Sequence, residues 1–240
     1  YSLDATNGWL PNLTELAKQD LSGVKLMWIN YPHMPTGAKA TMDFFEELIV
    51  FATQHDILII NDNPYAHILN DTPLSILSAD GANEVALEFQ SLSKAYNMAG
   101  WRVGMVCGNA THISQILKVK SNMDSGMFFG IQQGAIAALN QGSDWFTHIN
   151  SAYQKRREWV WKIADALNTS YQKDTSGMFV WAKLPNGATD SETYIDKMVH
   201  EHHIFVAPGT IFGSAGEGYI RFSLCVSEER IKEALNRIKS

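Results

Sequence analysis

Lys94 stands among hydroxyls in the run Ser91-Leu92-Ser93-Lys94, and Arg102 follows eight positions later within Gly100-Trp101-Arg102-Val103-Gly104. A lysine amine forms an imine with an aldehyde. Two hydroxyls and a guanidinium hold a phosphate well, because charge-assisted and bidentate hydrogen bonds are the strong ones. The pattern suits a phosphorylated molecule held covalently through Lys94. Taken alone, a lysine after a strand is an ordinary solvated lysine, and the other segments of the chain decide the matter. Asn30-Tyr31-Pro32-His33-Met34-Pro35-Thr36-Gly37 and Asn61-Asp62-Asn63-Pro64-Tyr65 precede it, and Gly218-Tyr219-Ile220-Arg221-Phe222-Ser223 follows. Asp62 closes an apolar run, where a carboxylate is costly unless it has a partner. Arg221 lies inside an apolar run, and its planar fork suits a carboxylate better than a lysine would. Gly100 and Gly104 suit a loop in close approach, where a side chain would interfere.

The elements that must carry these residues are legible as apolar runs. Val24–Ile29, Ile57–Ile60, Val85–Phe89 and Val103–Val106 read as buried strands, with helical periodicity between several of them. Alternating strand and helix argue for a largely parallel sheet with helices on its faces. Met42, Phe45, Leu48, Ile49 and Ala52 share one face of a helix over Thr41–His55, with Thr41 as its N-cap. Asn30, Asp62 and Ser91 then stand at or just beyond the C-terminal ends of strands, where open α/β sheets bind their ligands. Helices are predicted at His112–Met123, Phe128–Asn140 and Trp145–Leu167. The remainder reads as α+β: strands Met178–Lys183, Ile204–Ala207 and Tyr219–Leu224, with helices Ser191–His202 and Glu228–Ile238. The division falls at 1–142 and 143–240.

Composition narrows the class. The 240 residues are 45% hydrophobic and 18% charged, enough for a sizeable core. A net charge of −6 with scattered basic residues gives no footprint for nucleic acid. The densest basic group, Lys155-Arg156-Arg157, reads as a solvated helix face. No apolar run reaches the roughly 20 residues that span a bilayer. Cys107 and Cys225 are the two cysteines, both in apolar runs, and read as buried and reduced, which fits the cytoplasm. No Cys/His spacing of the zinc type occurs, and His202-His203 reads as packing.

The four segments, in this order over most of the chain, resemble the class I/II aminotransferases, the fold-type I enzymes that depend on pyridoxal 5′-phosphate (PLP). The family pattern runs NPxNPTG, DxxY, SxSKxxxxxGxRxG and GYxRxS. The resemblance implies a PLP-dependent transferase-like α/β fold, with a large cofactor domain over 1–142 and a small α+β domain over 143–240. It implies that Lys94 holds PLP as an imine and then acts as the base, that Asp62 pairs with the pyridine nitrogen, and that Tyr65 hydrogen-bonds the phenolic oxygen. Ser91, Ser93 and Arg102 match the phosphate ligands, and Arg221 the residue that grips the substrate carboxylate. The implied reaction moves an amino group between an L-amino acid and a 2-oxo acid, in a cytoplasmic homodimer without metal. A C–S lyase or other eliminating enzyme of this fold, or a PLP-binding regulatory module, carries the same residues. Met34 departs from the pattern, which has an asparagine there to contact the phenolic oxygen. That contact then falls to Tyr65 alone, or to His33 or Asn30. Members of the family are longer, so the resemblance also implies a C-terminal portion with an incomplete large-domain sheet.

Overall fold

The computed structural model describes residues 1–240. Contacts divide the chain into two compact units: Pro11–Pro32 with Lys39–Phe146, and Tyr1–Leu10 with His33–Ala38 and Thr147–Ser240. The two short early segments belong with the C-terminal part through contacts distant in sequence, which periodicity does not reveal.

The first of these units contains a sheet of β1 (Leu26–Ile29), β2 (Leu58–Asp62), β3 (Ala86–Ser91) and β4 (Gly104–Cys107), in that order. The short helix α1 (Leu13–Leu16) precedes β1. Between β1 and β2 runs α2 (Met42–His55), capped by Thr41, whose hydroxyl accepts from Phe44 N at 3.2 Å. It buries Phe44, Phe45, Leu48, Ile49, Phe51 and Ala52, a broader face than periodicity alone marks. This crossover makes β1 and β2 parallel, and β2 and β3 are parallel as well. A one-turn helix, α3 (Ala82–Val85), leads into β3.

The sheet is largely parallel, as expected, with its fourth strand the exception, because β4 is antiparallel to β3. The connection holds only the single turn α4 (Leu92–Ala95) and a 3-10 turn at Ala99–Trp101, too little for a crossover. Beyond β4 come α5 (Ala110–Met123) and α6 (Phe129–Leu139), close to their predicted spans.

Helix α7 (Ser143–Ala166) leads into the other unit, where it buries Ile149, Tyr153, Val160, Ile163 and Ala164. A second sheet follows, with β5 (Ser170–Tyr171), β6 (Phe179–Lys183), β7 (Ala207–Pro208) and β8 (Tyr219–Ser223) in the order β5-β6-β8-β7, antiparallel throughout. The helices α8 (Ser191–His202) and α9 (Glu228–Lys239) complete it.

Three expectations change here. The strand predicted at Ile204–Ala207 shrinks to Ala207–Pro208. Phe205 is exposed, and Pro208 has no N–H with which to extend a ladder. The cysteines are free thiols, but Cys107 is only half-buried in β4 and Cys225 is exposed past the end of β8. The basic group on α7 is only partly solvated. Arg156 Nη1 donates to Leu224 O at 3.1 Å and Arg157 Nη1 to Thr175 O at 2.8 Å, so two of its three cations tie the unit together.

Candidate active site

Because β2 and β3 run parallel, Asp62 and Ser91 leave the sheet at the same edge, with Asp62 level with Phe89, two residues before Ser91. Antiparallel pairing of Ser91 with Gly104 returns Arg102 to that edge. An ideal Cβ on Gly104 would stand 2.8 Å from Gln90 O, so glycine is what lets the two strands close here. Gly100 meets nothing within 4 Å, so the close approach expected of both glycines of the motif is a property of Gly104 alone.

Ser91 caps the turn that carries the lysine, its hydroxyl accepting from Ser93 N at 3.1 Å. Ser93 and Lys94 are half-buried on that turn. Leu92, fully enclosed, anchors it: its N–H donates to Val103 O at 3.1 Å, and its side chain packs with Met98, Val103 and Ala135. Trp145 Nε1 donates to Ala95 O at 2.8 Å while its ring stacks on Tyr96. Arg102 is exposed in a left-handed conformation, φ +56°, with Nη1 donating to Ala99 O at 2.9 Å.

Asp62 is open to solvent on one side, yet partial burial pushes its carboxyl above the usual carboxylate value, and no protein cation acts the other way. Tyr65, three residues on, is buried. The end of β2 is held by a network absent from the sequence reading. Asn30 Nδ2 donates to the backbone oxygen of Asp62. Asn61, fully buried, accepts from Tyr31 N at 3.1 Å and donates to Glu88 Oε2 at 3.2 Å. Glu88 also accepts from Ile76 N at 3.0 Å and Gln90 Nε2 at 2.9 Å. A glutamate in the middle of the apolar run Val85–Phe89 was the available signal, since a buried carboxylate needs donors.

In the other unit, Arg221 on β8 is half-buried and sandwiched between two rings, its guanidinium carbon 4.0 Å from the Phe179 centroid and 4.5 Å from that of Phe212. Its Nη1 donates to Met34 Sδ at 3.4 Å, so the residue that departs from the family pattern touches the arginine. The Met34 turn closes on itself, with Gly37 N donating to His33 O at 2.7 Å and His33 N to Ala38 O at 2.8 Å. Gly37 takes φ +75°, and any Cβ there would come within 2.8 Å of Ser176 O. His33 Nδ1 and Thr36 Oγ1 are 2.8 Å apart, and burial pushes the imidazole down to about 4. The groups His, Cys, Asp and Glu nowhere gather as a metal site would need.

Six of the seven residues singled out by sequence therefore lie on one sheet edge and its loops, a donor set of amine, two hydroxyls, guanidinium, phenol and carboxylate, while Arg221 belongs to the second unit. Residues 1–238 match the family model for aminotransferase class I and II, and the chain belongs to that family. It is 41% identical over 235 residues to an LL-diaminopimelate aminotransferase of Maridesulfovibrio salexigens, covering 97% of this chain and 60% of that protein. The chain thus spans about three fifths of the length of the curated relatives it matches. Among solved structures it is similar to apo-BacF of Bacillus subtilis, with TM-score 0.92, 34% identity, and coverage of 99% of this chain and 61% of that one. An aminotransferase from Staphylococcus aureus gives TM-score 0.89 at 33% identity, covering 99% and 63%. No helix is long and apolar enough to cross a membrane.

Proposed function

We propose that this chain carries the catalytic lysine side of an aminotransferase that moves an amino group between an L-amino acid and a 2-oxo acid with PLP. The observation that supports this most is the β3–β4 pairing, which returns Arg102 to the edge where Ser91, Ser93 and Lys94 form one capped turn. The donor set fits the cofactor. Ser91, Ser93 and Arg102 offer hydroxyls and a guanidinium to its phosphate. Asp62, a carboxylate that is partly desolvated without a cationic partner, suits a protonated ring nitrogen.

When bound, PLP supplies an aldehyde for amines and an electron-withdrawing ring. The chain's own residues do the rest. Lys94 Nζ would hold the cofactor and, when its amine is free, would take and return the proton at the substrate α-carbon. Asp62 accepts the hydrogen bond of the ring N–H and keeps that proton in place. Tyr65 Oη donates to the phenolic oxygen. Arg221 holds the substrate carboxylate with its two-pronged fork, a geometry that a lysine lacks. The sandwich of Phe179 and Phe212 keeps that fork in one plane.

By chain order the cofactor domain is 1–142 and the small domain 143–240, with the contacts moving Tyr1–Leu10 and His33–Ala38 into the unit of the small domain. The proposal also includes a cytoplasmic homodimer. Exposed apolar side chains on α5, α6 and the loop between them, Leu117, Val119, Met123, Phe128 and Phe129, support an assembly. The test is reduction of the PLP-loaded full-length protein with borohydride, followed by peptide mapping. A label on Lys94, and its loss in Lys94→Ala, is the expected result. A label on any other lysine overturns the assignment.

A further inference from the structure

Lys94 rides on a helix of a single turn, α4 (Leu92–Ala95). One turn fixes several backbone dihedrals in return for very few hydrogen bonds, so it needs support from outside, and its carbonyls belong to a helix end whose partners must come from elsewhere. The start of the turn is held by the Ser91 cap and by Leu92 N on Val103 O. Its end is held from a distance. Trp145 Nε1, fifty positions on, donates to Ala95 O at 2.8 Å. Ala95 directly follows Lys94 and is buried.

The indole that makes this bond is itself braced. It stacks on Tyr96, with centroids 6.3 Å apart and planes 15° from parallel, and Phe146 meets the same Tyr96 edge-on at 5.5 Å. Phe146 in turn stacks on His67 at 4.6 Å. His67 lies two residues past Tyr65, on the loop that leaves β2 after Asp62. Offset-stacked and edge-on rings hold specific geometries. Through them the first turn of α7 connects the turn of Lys94 with the loop of Tyr65, and all four rings belong to one compact unit. A lysine amine on its flexible four-carbon stem depends on the frame from which it starts. Misplacing a reacting group by about 1 Å can cost roughly 10²-fold in rate.

We propose that Trp145 is a positioning residue: by fixing Ala95 O and stacking on Tyr96 it sets the direction in which α4 presents the Lys94 amine. This role rests on the reading of Lys94 given under the proposed function.

The test uses full-length Trp145→Phe, which keeps a ring against Tyr96 and loses the N–H donor. Affinity for pyridoxine 5′-phosphate, which has no aldehyde, should stay within threefold of the parent. The rate at which the Lys94 amine condenses with the aldehyde of added PLP, with loss of water, should fall tenfold or more. Hydrogen exchange at Tyr96 N, which donates to Leu92 O at 3.1 Å, should speed up while β2 and β3 stay protected. Tyr96→Leu, which removes the stack and leaves the N–H, should slow condensation less. If Trp145→Phe does not fold, 3-benzothienylalanine at position 145 keeps the shape of the indole and replaces the N–H with sulfur. A condensation rate equal to that of the parent overturns the role of Trp145. So does a loss of pyridoxine 5′-phosphate affinity as large as the loss of rate, or faster exchange throughout β2 and β3, because either is a general loosening. Borohydride labelling of the parent at a lysine other than Lys94 is a separate failure, which removes the reading of Lys94 itself.

Discussion

Gly100 and Gly104 occupy matching ends of one motif, and the structure gives them opposite sensitivities. An alanine Cβ at 104 would stand 2.8 Å from Gln90 O, about 0.6 Å inside the 3.4 Å at which ordinary contact begins. That oxygen belongs to the backbone of β3, in register with Met105 and one residue before Ser91, so it cannot swing away as a side chain would. Overpacking of this kind costs roughly 1–3 kcal/mol. The lower entropy of the unfolded alanine chain offsets about 0.4–1 kcal/mol of that. A net loss of about 1–2 kcal/mol is expected for Gly104→Ala, a fall in Tm of roughly 2–8 °C for a chain of this size. Gly100→Ala meets nothing within 4 Å and should be neutral or stabilising by up to about 1 kcal/mol. Thermal unfolding of the cofactor-free protein, followed by circular dichroism, separates the two. PLP affinity should also fall in Gly104→Ala, because relief of the clash moves Ser91 and the chain leading from Arg102. A Gly104→Ala protein as stable as the parent, or a Gly100→Ala protein equally damaged, would refute the close-approach argument.

Asp62→Asn should cut turnover by roughly 10²-fold while the cofactor still binds, a loss typical of a missing electrostatic partner. It should also raise the stability of the cofactor-free protein at pH 7. The carboxyl value is raised by folding, so its favourable contribution is complete below about 3.8 and is lost as pH climbs through the raised value, and titration of stability against pH reads the difference. His33 has the opposite sign: its value falls from 6.5 to about 4 on folding, so stability should drop as pH falls through that window, by at most about 3 kcal/mol at 1.36 kcal/mol per unit. His67 is lowered by burial too, so the informative comparison is the parent with His33→Asn, which should flatten the curve. Arg221→Lys should raise KM for amino acid and oxo acid alike by tenfold or more and leave PLP affinity intact. An unchanged KM for every substrate removes Arg221 from the site.

What the sequence disclosed follows from where chemistry sits in an α/β sheet. Asp62, Ser91 and Lys94 lie at strand ends, so the apolar runs before them point to them, and the spacing from Lys94 to Arg102 survives as a local pattern even though the pairing of Ser91 with Gly104 delivers the arginine. The helices α2, α5, α6, α8 and α9 were legible for the same reason, since each states its period within its own residues. Long-range contacts leave no such trace. The reversal of β4 depends on how little helix the connection contains, and the membership of Tyr1–Leu10 and His33–Ala38 in the unit of Arg221 depends on partners more than a hundred residues away.

The same distinction explains why the sequence yields the candidate reacting groups and conceals what holds them. Glu88 is not among those groups, yet its carboxyl takes three donors and through Asn61 fixes the N–H of Tyr31, so the ends of β1 and β2 are set by a side chain buried on β3. Removing one partner of such a network leaves the others unsatisfied and costs more than the bond was worth. Glu88→Leu should therefore destabilise the cofactor-free protein by several kcal/mol, whereas Glu88→Gln, which preserves shape and one acceptor, should lose less. Denaturant unfolding of the pair distinguishes this from simple packing. If leucine is tolerated as well as glutamine, the carboxylate is not what holds the strand ends in register.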